Sequence, residues 1–276
     1  MSTSANNKPV ALITGAAGGI GRAIAAMLAK QGYLLALADI NEEGLEKLSG
    51  ELGPGHLTYP NDITDYNKVC KMIENIHLTT GRIDVMVNNA GMVVIKPFID
   101  CSIEDLKSEI DLNYMAALYC IKTVLPYMQK AGSGVIVSVS SLGAITPMAV
   151  SPNYTASKAA LRGLMLALNL TLAPHGIHAG CVCPSAVDTK MLEMEALGGG
   201  SLLNFLQKPL APEAVAAAVW QVIDKNKIEV CIPGSEGVSS KLGAFFPALF
   251  PKILPHLEKI GERKRLVYIR SKKPAG

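Results

Sequence analysis

Apolar residues fall in short runs along most of the chain, and these alternate with stretches where apolar positions recur every three or four residues. The runs at 10–14 (VALIT), 34–38 (LLALA), 56–59 (HLTY), 83–87 (IDVMV), 134–139 (GVIVSV), 177–183 (IHAGCVC) and 228–232 (IEVCI) predict strands. Helical periods lie near 19–31, 42–50, 65–79, 103–130, 154–173 and 211–224. The strand runs are apolar at nearly every position, as expected when both faces of a sheet are covered. Alternation of strand and helix predicts right-handed crossovers and an α/β fold. We expect a doubly wound, Rossmann-like parallel sheet of about seven strands with helices on both faces. Such a sheet binds ligands beyond the carboxyl ends of its strands.

The stretch TGAAGGIG, residues 14–21, stands where the first strand hands over to the first helix. Gly15, Gly18, Gly19 and Gly21 each forgo a side chain, which costs roughly 0.5–1 kcal/mol per residue in regular structure. A ligand that must approach the backbone closely offsets that cost. A diphosphate does so, because backbone amides and the positive end of the dipole at a helix N-terminus form an anion site. Asp39 ends the second strand, where a carboxylate accepts from ribose hydroxyls and repels a 2′-phosphate. Ala16 and Ala17 bring no cation for that phosphate, so NAD is favoured over NADP. The fourth run ends in NNAG, Asn88 to Gly91, whose small and amide residues let a turn approach the cofactor. In YTASK, Tyr154 and Lys158 are four apart at a helix start and share one face. An ammonium beside the phenol, with a positive nicotinamide ring nearby, favours the phenolate; lowering its pKa by about three units takes roughly 4 kcal/mol.

These motifs, in this order over about residues 8–235, resemble those of the classical short-chain dehydrogenase/reductase family. The resemblance implies a catalytic set of Asn113 (in DLNYM), Ser141 (in VSVSS), Tyr154 and Lys158. It places the cofactor against Gly15, Gly18, Gly19, Ile20, Gly21, Asp39, Asp62, Ile63, Asn89, Ala90 and Gly91. Tyr154, Lys158, Pro184, Val187 and Thr189 complete that pocket. Asp84 matches the family's strand-stabilising acid. Tyr154 would exchange the substrate proton, Ser141 would hydrogen-bond the substrate oxygen, and Asn113 would hold a water linking Lys158 to solvent. Three positions depart from the pattern: Ser185 replaces the glycine after Pro184, Gly180 an asparagine, and Ser138 another asparagine. None of them touches a proton-transfer residue, so activity should survive. Two other readings stand beside this one: a 3-oxoacyl-carrier-protein reductase, a group that usually takes NADPH, and a non-catalytic dinucleotide sensor.

The family uses the segment after the sixth strand, 185–210, as a substrate lid. Here Met191, Leu192, Met194, Leu197, Leu202, Leu203, Phe205 and Leu206 make it apolar, with Gly198–Gly200 as a hinge. A bulky apolar secondary alcohol or ketone, steroid- or lipid-like, suits such a lid. Apolar residues beyond one stripe on the helices near 103–130 and 154–173 suggest a second buried side, and the family pairs these helices in homodimers and homotetramers.

With 276 residues, 49% hydrophobic and 18% charged, the chain supports one large domain, 1–240. The six cysteines include no CxxC pair and the five histidines show no ligand spacing, so no metal is expected. Cys181 and Cys183 read as core thiols. No apolar run reaches the length of a membrane span and the N-terminus lacks a signal-peptide core, which predicts a soluble cytoplasmic protein. The extension 241–276 differs from the rest. It is apolar to about 257, then basic, with eight Lys or Arg against two Glu from 252 onward. No nucleic-acid motif accompanies that charge. Pro247, Pro251 and Pro255 argue against one regular helix through all three. Its apolar residues must cover this subunit's site, a neighbouring subunit, or a membrane interface through 241–270.

Overall fold

The seven apolar runs pair edge to edge as parallel strands in the computed structural model, which describes residues 8–272. The ends of the two predicted segments, 1–7 and 273–276, lie outside the described residues. The strands are β1 (Val10–Thr14), β2 (Leu34–Asp39), β3 (Leu57–Pro60), β4 (Val85–Asn88), β5 (Gly134–Val139), β6 (Ile177–Pro184) and β7 (Glu229–Ile232). Their order is β3-β2-β1-β4-β5-β6-β7, so the winding direction reverses between β1 and β4. This is the doubly wound, Rossmann-like sheet that the alternation predicts.

The helices are α1 (Gly19–Lys30), α2 (Glu42–Leu52), α3 (Tyr66–Thr80), α4 (Ile103–Ile110), α5 (Ala116–Ala131), α6 (Pro152–Leu172), α7 (Lys190–Gly198), α8 (Pro212–Lys225), α9 (Gly234–Gly243) and α10 (Phe250–Lys272). Alternate residues of one strand feed opposite cores. Val10 and Leu12 of β1 pack with Val69 and Ile73 of α3, Cys120 and Val124 of α5 and Met165 of α6. Ala11 and Ile13 pack with Ile24 and Leu28 of α1 and with Val215 and Val219 of α8. Every strand residue of β1 is buried, which is why its run is apolar throughout. Asp84 ties the base of the sheet: its Oδ2 accepts from the Val10 amide at 2.6 Å, and Arg82 holds the same carboxylate in a fork.

The single helix expected over 103–130 is interrupted. α4 begins on a Ser102 capping box, then Asp111–Met115 adopts a π-helical turn before α5. A wide turn inserts one residue without changing the apolar pattern much, so periodicity cannot reveal it. Asn113 sits inside that turn and is 1% exposed.

α7, α9 and α10 were not among the helical periods. α10 starts after Pro247, so no helix runs through all three prolines. Pro251 occupies its second position, where no intrahelical donor is needed, and Pro255 alone lies farther in. α10 lies on the segment 201–206 and on α7. Tyr268 donates from its hydroxyl to Asp188 at 2.7 Å, Arg265 donates to the Ala196 carbonyl at 2.8 Å, and Lys272 pairs with Asp188 and Glu193. The Tyr268 ring stacks at 5.5 Å on Phe205, the centre of a small cluster with Leu192 and Ala196. Of the three coverings that the extension's sequence leaves open, its own subunit accounts for this face. The opposite end of the extension stays bare, with Phe245 77% and Phe246 63% exposed.

Candidate active site

Beyond the carboxyl ends of the strands lies a cavity of about 810 Å³. Its cofactor side is built from the glycine turn. Gly15 has φ +63°, and a Cβ there would stand 2.8 Å from Ala90 Cα. A Cβ on Gly21 would meet the Gly15 carbonyl oxygen at 2.0 Å, so the helix can start that close only with glycine. A Cβ on Gly19 would press on Thr189 Cγ2 at 3.1 Å, whereas one on Gly18 would reach only the Gly15 oxygen, at 3.4 Å. Gly18 caps α1 without a side-chain bond, and the amides of Gly19, Ile20 and Gly21 have no partner among the described residues. Open backbone donors at a helix N-terminus, beside a glycine that no neighbour requires, fit a diphosphate.

The residues around the turn are cross-tied. Asp39 Oδ2 accepts from the Ala17 amide at 2.9 Å, and its Oδ1 accepts from Asn41. Asn89 donates from Nδ2 to the Thr14 and Gly15 carbonyls at 3.1 and 3.0 Å, joining the ends of β4 and β1. Ala90 donates from its amide to the Thr14 hydroxyl. Asp62 turns back on Thr64, whose hydroxyl and amide hold its carboxyl below the usual range, and Ile63 beside it is buried in the core. Asp39 is therefore fixed on the turn, Asp62 and Ile63 lie just past the end of β3 and off the cavity lining, and Ile20, Asn89, Gly91, Pro184, Val187 and Thr189 face the cavity itself.

Ser141, Tyr154 and Lys158 share the cavity floor. Ser141 follows β5 and its Oγ accepts from the Gly143 amide at 3.0 Å. Tyr154 and Lys158 rise from the first turns of α6, with Lys158 Nζ 5.8 Å from the Tyr154 ring centroid. Lys158 is 4% exposed and donates to the Val139 carbonyl at 3.1 Å. Asn113 stands one layer behind. It accepts from the Met92 amide at 2.8 Å and donates to the Met92 carbonyl and to Ser157 Oγ at 2.9 and 3.0 Å. The π turn aims it at this loop, and a Cβ on Gly91 would contact both Asn113 Oδ1 and Lys158 Nζ, at 3.0 and 3.1 Å. The small NNAG turn thus keeps Asn113, Lys158 and the cavity wall within reach of one another.

The electrostatics of the protein alone differ from the expectation that Lys158 favours the phenolate. Burial pushes the Tyr154 phenol well above its ordinary value, Glu195 adds to that rise, and the Ser141 hydroxyl opposes it. Burial also pushes the Lys158 ammonium down to about 8. At this separation desolvation outweighs the attraction, so lowering the phenol pKa needs further positive charge in the cavity.

The three departures find structural partners. Ser185 Oγ donates to Glu236 of α9 at 2.7 Å, stiffening the turn after β6. Ser138 accepts from Asn88 Nδ2 at 3.3 Å across β4 and β5. Gly180 admits the chain before β7, since a Cβ there would lie 2.7 Å from the Lys227 carbonyl oxygen. Of the apolar lid residues, Met191, Leu192, Leu203 and Leu206 line the cavity, Phe205 fills the cluster behind it, and Met194 and Leu197 face outward. In the Gly198–Gly200 stretch, expected as a hinge, two glycines also meet local geometric demands. Gly199 ends α7 at φ +85°, and a Cβ on Gly200 would overlap Glu195 Cβ at 2.5 Å.

The outer wall is formed by Pro247, Phe250, Pro251, Ile253 and Leu257, so of the coverings left open for the extension's apolar residues, this subunit's site is one they take. Sequence reasoning missed Glu195 of α7, which nothing in the local pattern singles out. Elsewhere among the described residues, Cys181, Cys183 and Glu229 bring ligand atoms within 4.8 Å of one another. Both thiols are buried and Glu229 is already committed to Arg162 and Lys241. No described helix is long and apolar enough to cross a membrane.

A family model described as short chain dehydrogenase matches residues 9–197. An oxidoreductase, UcpA, from Salmonella typhimurium is 41% identical over 189 residues, covering 66% of this chain and 71% of that protein. Among solved structures, a 3-ketoacyl-(acyl-carrier-protein) reductase from Brucella melitensis complexed with NADH superposes with a TM-score of 0.74 at 26% identity. That match covers 83% of this chain and 98% of the reductase. ElxO with NADP bound gives a TM-score of 0.74 at 26% identity over 82% of this chain and 97% of its own.

Proposed function

Because this chain belongs to the short-chain dehydrogenase/reductase family, whose members are oxidoreductases using a nicotinamide dinucleotide, we propose that it interconverts bulky apolar secondary alcohols and ketones with NAD(H). The observation that carries this reading is the cavity. Its floor holds Ser141, Tyr154 and Lys158, and its walls are Met148, Leu203, Leu206, Phe250, Ile253 and Leu257. An apolar ring system fills such walls, whereas a polyol would leave its hydroxyls unpaired.

The bound nicotinamide supplies the hydride donor or acceptor. Tyr154 gives its hydroxyl proton to the substrate oxygen in reduction and takes it back in oxidation. Ser141 donates a hydrogen bond to that oxygen as negative charge develops. Lys158, held by the Val139 carbonyl, brings positive charge to the Tyr154 face and would hold the cofactor ribose. Asn113, fixed on Met92 and Ser157, positions the proton path behind Lys158.

Asp39 supports NAD over NADP. Its carboxylate is anchored on the Ala17 amide at the ribose edge, and the guanidinium of Arg22, which reaches the Gly44 carbonyl, is paired with Glu51. Arg22 is thus already committed rather than free for a 2′-phosphate. The Brucella neighbour favours a second reading, reduction of 3-ketoacyl thioesters. One panel separates the two: steroid ketones, aliphatic alcohols, polyols and a 3-ketoacyl thioester, each assayed with NAD(H) and NADP(H). The expected result is turnover of apolar ketones with NAD preferred at least tenfold, about 1.4 kcal/mol. Tyr154→Phe should lower kcat by about a hundredfold or more while NADH fluorescence on binding persists. NADP preference, turnover confined to polyols, or substantial activity in Tyr154→Phe overturns the corresponding part.

The bare end of the extension supports a peripheral contact with anionic lipid. Val238, Leu242, Phe245, Phe246 and Leu249 are more than half exposed, next to the cavity wall. Along α10, Lys252, Lys259, Arg263 and Arg270 are exposed at spacings of seven, four and seven, which places them on one helical face. Apolar insertion and attraction to anionic headgroups then act together.

A further inference from the structure

The cavity contains one carboxyl that the proposed chemistry does not use. Glu195 lies on α7, is 6% exposed, and lines the cavity with Tyr154 and Met148. Its Oε1 accepts from Asn204 Nδ2 at 3.1 Å, and its Oε2 accepts no hydrogen bond among the described residues. No ion pair reaches it among those residues either. Arg265, which binds the neighbouring Ala196 carbonyl, is paired with Glu262, and Lys272 pairs with Glu193 and Asp188. Tyr154 is the ionisable group it acts on across the cavity, and burial pushes its own pKa up to about 7.

Glu195 is also firmly held. The Gly200 amide donates to its carbonyl at 2.8 Å, the chain folds back so closely that Gly200 can carry no Cβ, and Leu192, Ala196 and Phe205 pack on the same helix. An acid fixed in an apolar cavity with half its acceptor capacity open costs stability that a leucine or methionine would not cost. A ligand that completes its hydrogen bonds removes the cost and gains specificity from it. The ligand must be apolar enough for the walls and must offer a donor. A cationic donor is disfavoured, because Lys158 and an oxidised nicotinamide already bring positive charge to the same cavity. A hydroxyl serves, since it can donate to a carboxylate and also accept from the protonated acid.

We propose that Glu195 is a specificity-determining residue that binds a hydroxyl of the substrate remote from the reacting carbon, so that the preferred substrates are hydroxylated apolar ketones and their alcohols. This rests on the alcohol/ketone reading of the cavity and names its substrate class more narrowly.

Matched probes test it: trans-decalone against a hydroxylated decalone, and androstanone against hydroxyandrostanone, reduced with NADH by wild type, Glu195→Gln and Glu195→Leu. Wild type should favour the hydroxylated member of at least one pair by tenfold or more in kcat/KM. Glu195→Leu should abolish or reverse that preference, chiefly through KM, and raise kcat/KM for the unhydroxylated member. Glu195→Gln should keep part of the preference, because an amide oxygen still accepts. Equal preference in wild type and Glu195→Leu overturns the inference, as does loss of turnover on both members of a pair in Glu195→Gln, which would give Glu195 a role in the chemistry. If no ketone is turned over with either cofactor, the alcohol/ketone reading fails first. Calorimetric binding of the same pairs to the NADH complexes then decides Glu195 separately. A hydroxyl preference present in wild type and absent in Glu195→Leu upholds it, and equal affinities overturn it.

Discussion

A residue's meaning in this molecule depends on whether its partners are near in sequence. Gly21 is legible in the sequence because the atom it must avoid, the Gly15 carbonyl oxygen, lies six residues away in the same motif. Tyr154 and Lys158 are legible because four residues on a helix set a shared face. Glu195 is not, because the cavity around it is built from Met148, Tyr154 and a helix from the chain's end, all far away in sequence. That burial makes a pH-dependent prediction. The Glu195 carboxyl titrates near 7 in the folded protein against 4.5 unfolded, so its proton is held more tightly in the native state. Its contribution is fully present below about pH 4.5 and is lost as pH rises through 7, an order-of-magnitude change of about 3 kcal/mol. Glu195→Gln removes the titration. In urea unfolding of the cofactor-free protein, the variant should therefore gain on wild type from about pH 4.5 to 7 and level off above that. A difference that is flat with pH would mean the carboxyl is not desolvated.

Elements show the same division. β1, α1 and β2 follow from their apolar runs and glycine turn because each buries its pattern locally. The break between α4 and α5 does not, since a π turn shifts the helix by one residue and leaves the apolar spacing readable as continuous. α7 is too short, and α10 too proline-marked at its start, for a period to announce them. Yet α10 is what encloses the cavity. It docks where Gly261 meets Leu202: a Cβ there would stand 2.2 Å from the Leu202 carbonyl oxygen. Gly261→Val should lift the helix off the 201–206 segment. We expect kcat/KM for apolar ketones to fall at least tenfold with KM carrying most of it, while NADH affinity stays within about twofold. An unchanged KM would show that α10 is not part of the wall during turnover.

At the scale of the whole molecule, two apolar surfaces lack a covering among the described residues. On α6, Leu164 and Leu168 pack on the core, whereas Leu166 on another side is only half-buried and Leu170, one turn on, is 78% exposed. Sedimentation at micromolar concentration should show a dimer or tetramer, and a monomer would refute burial of that face between copies. At the other end, Phe245, Phe246 and Leu249 adjoin the basic stripe of α10. Full-length protein should co-sediment with anionic vesicles at low salt, release from them at high salt, and ignore zwitterionic vesicles. Joint replacement of Phe245 and Phe246 by serine should weaken the vesicle binding with turnover of soluble probes retained. Binding unaffected by that replacement would exclude this tip as the contact.

The docking of α10 also sets an order of events during synthesis. The glycine turn, Asp39, the catalytic floor and all seven strands are complete once Ile232 has left the ribosome. The extension's part of the cavity wall, Pro247 to Leu257, follows about fifteen to twenty-five residues later. With that wall selecting substrates as proposed, a nascent or clipped chain would hold a dinucleotide before it could choose what to oxidise. The exposed stretch 244–249 is the natural place for a protease to cut, and one cleavage there would leave a redox-competent core stripped of its selectivity.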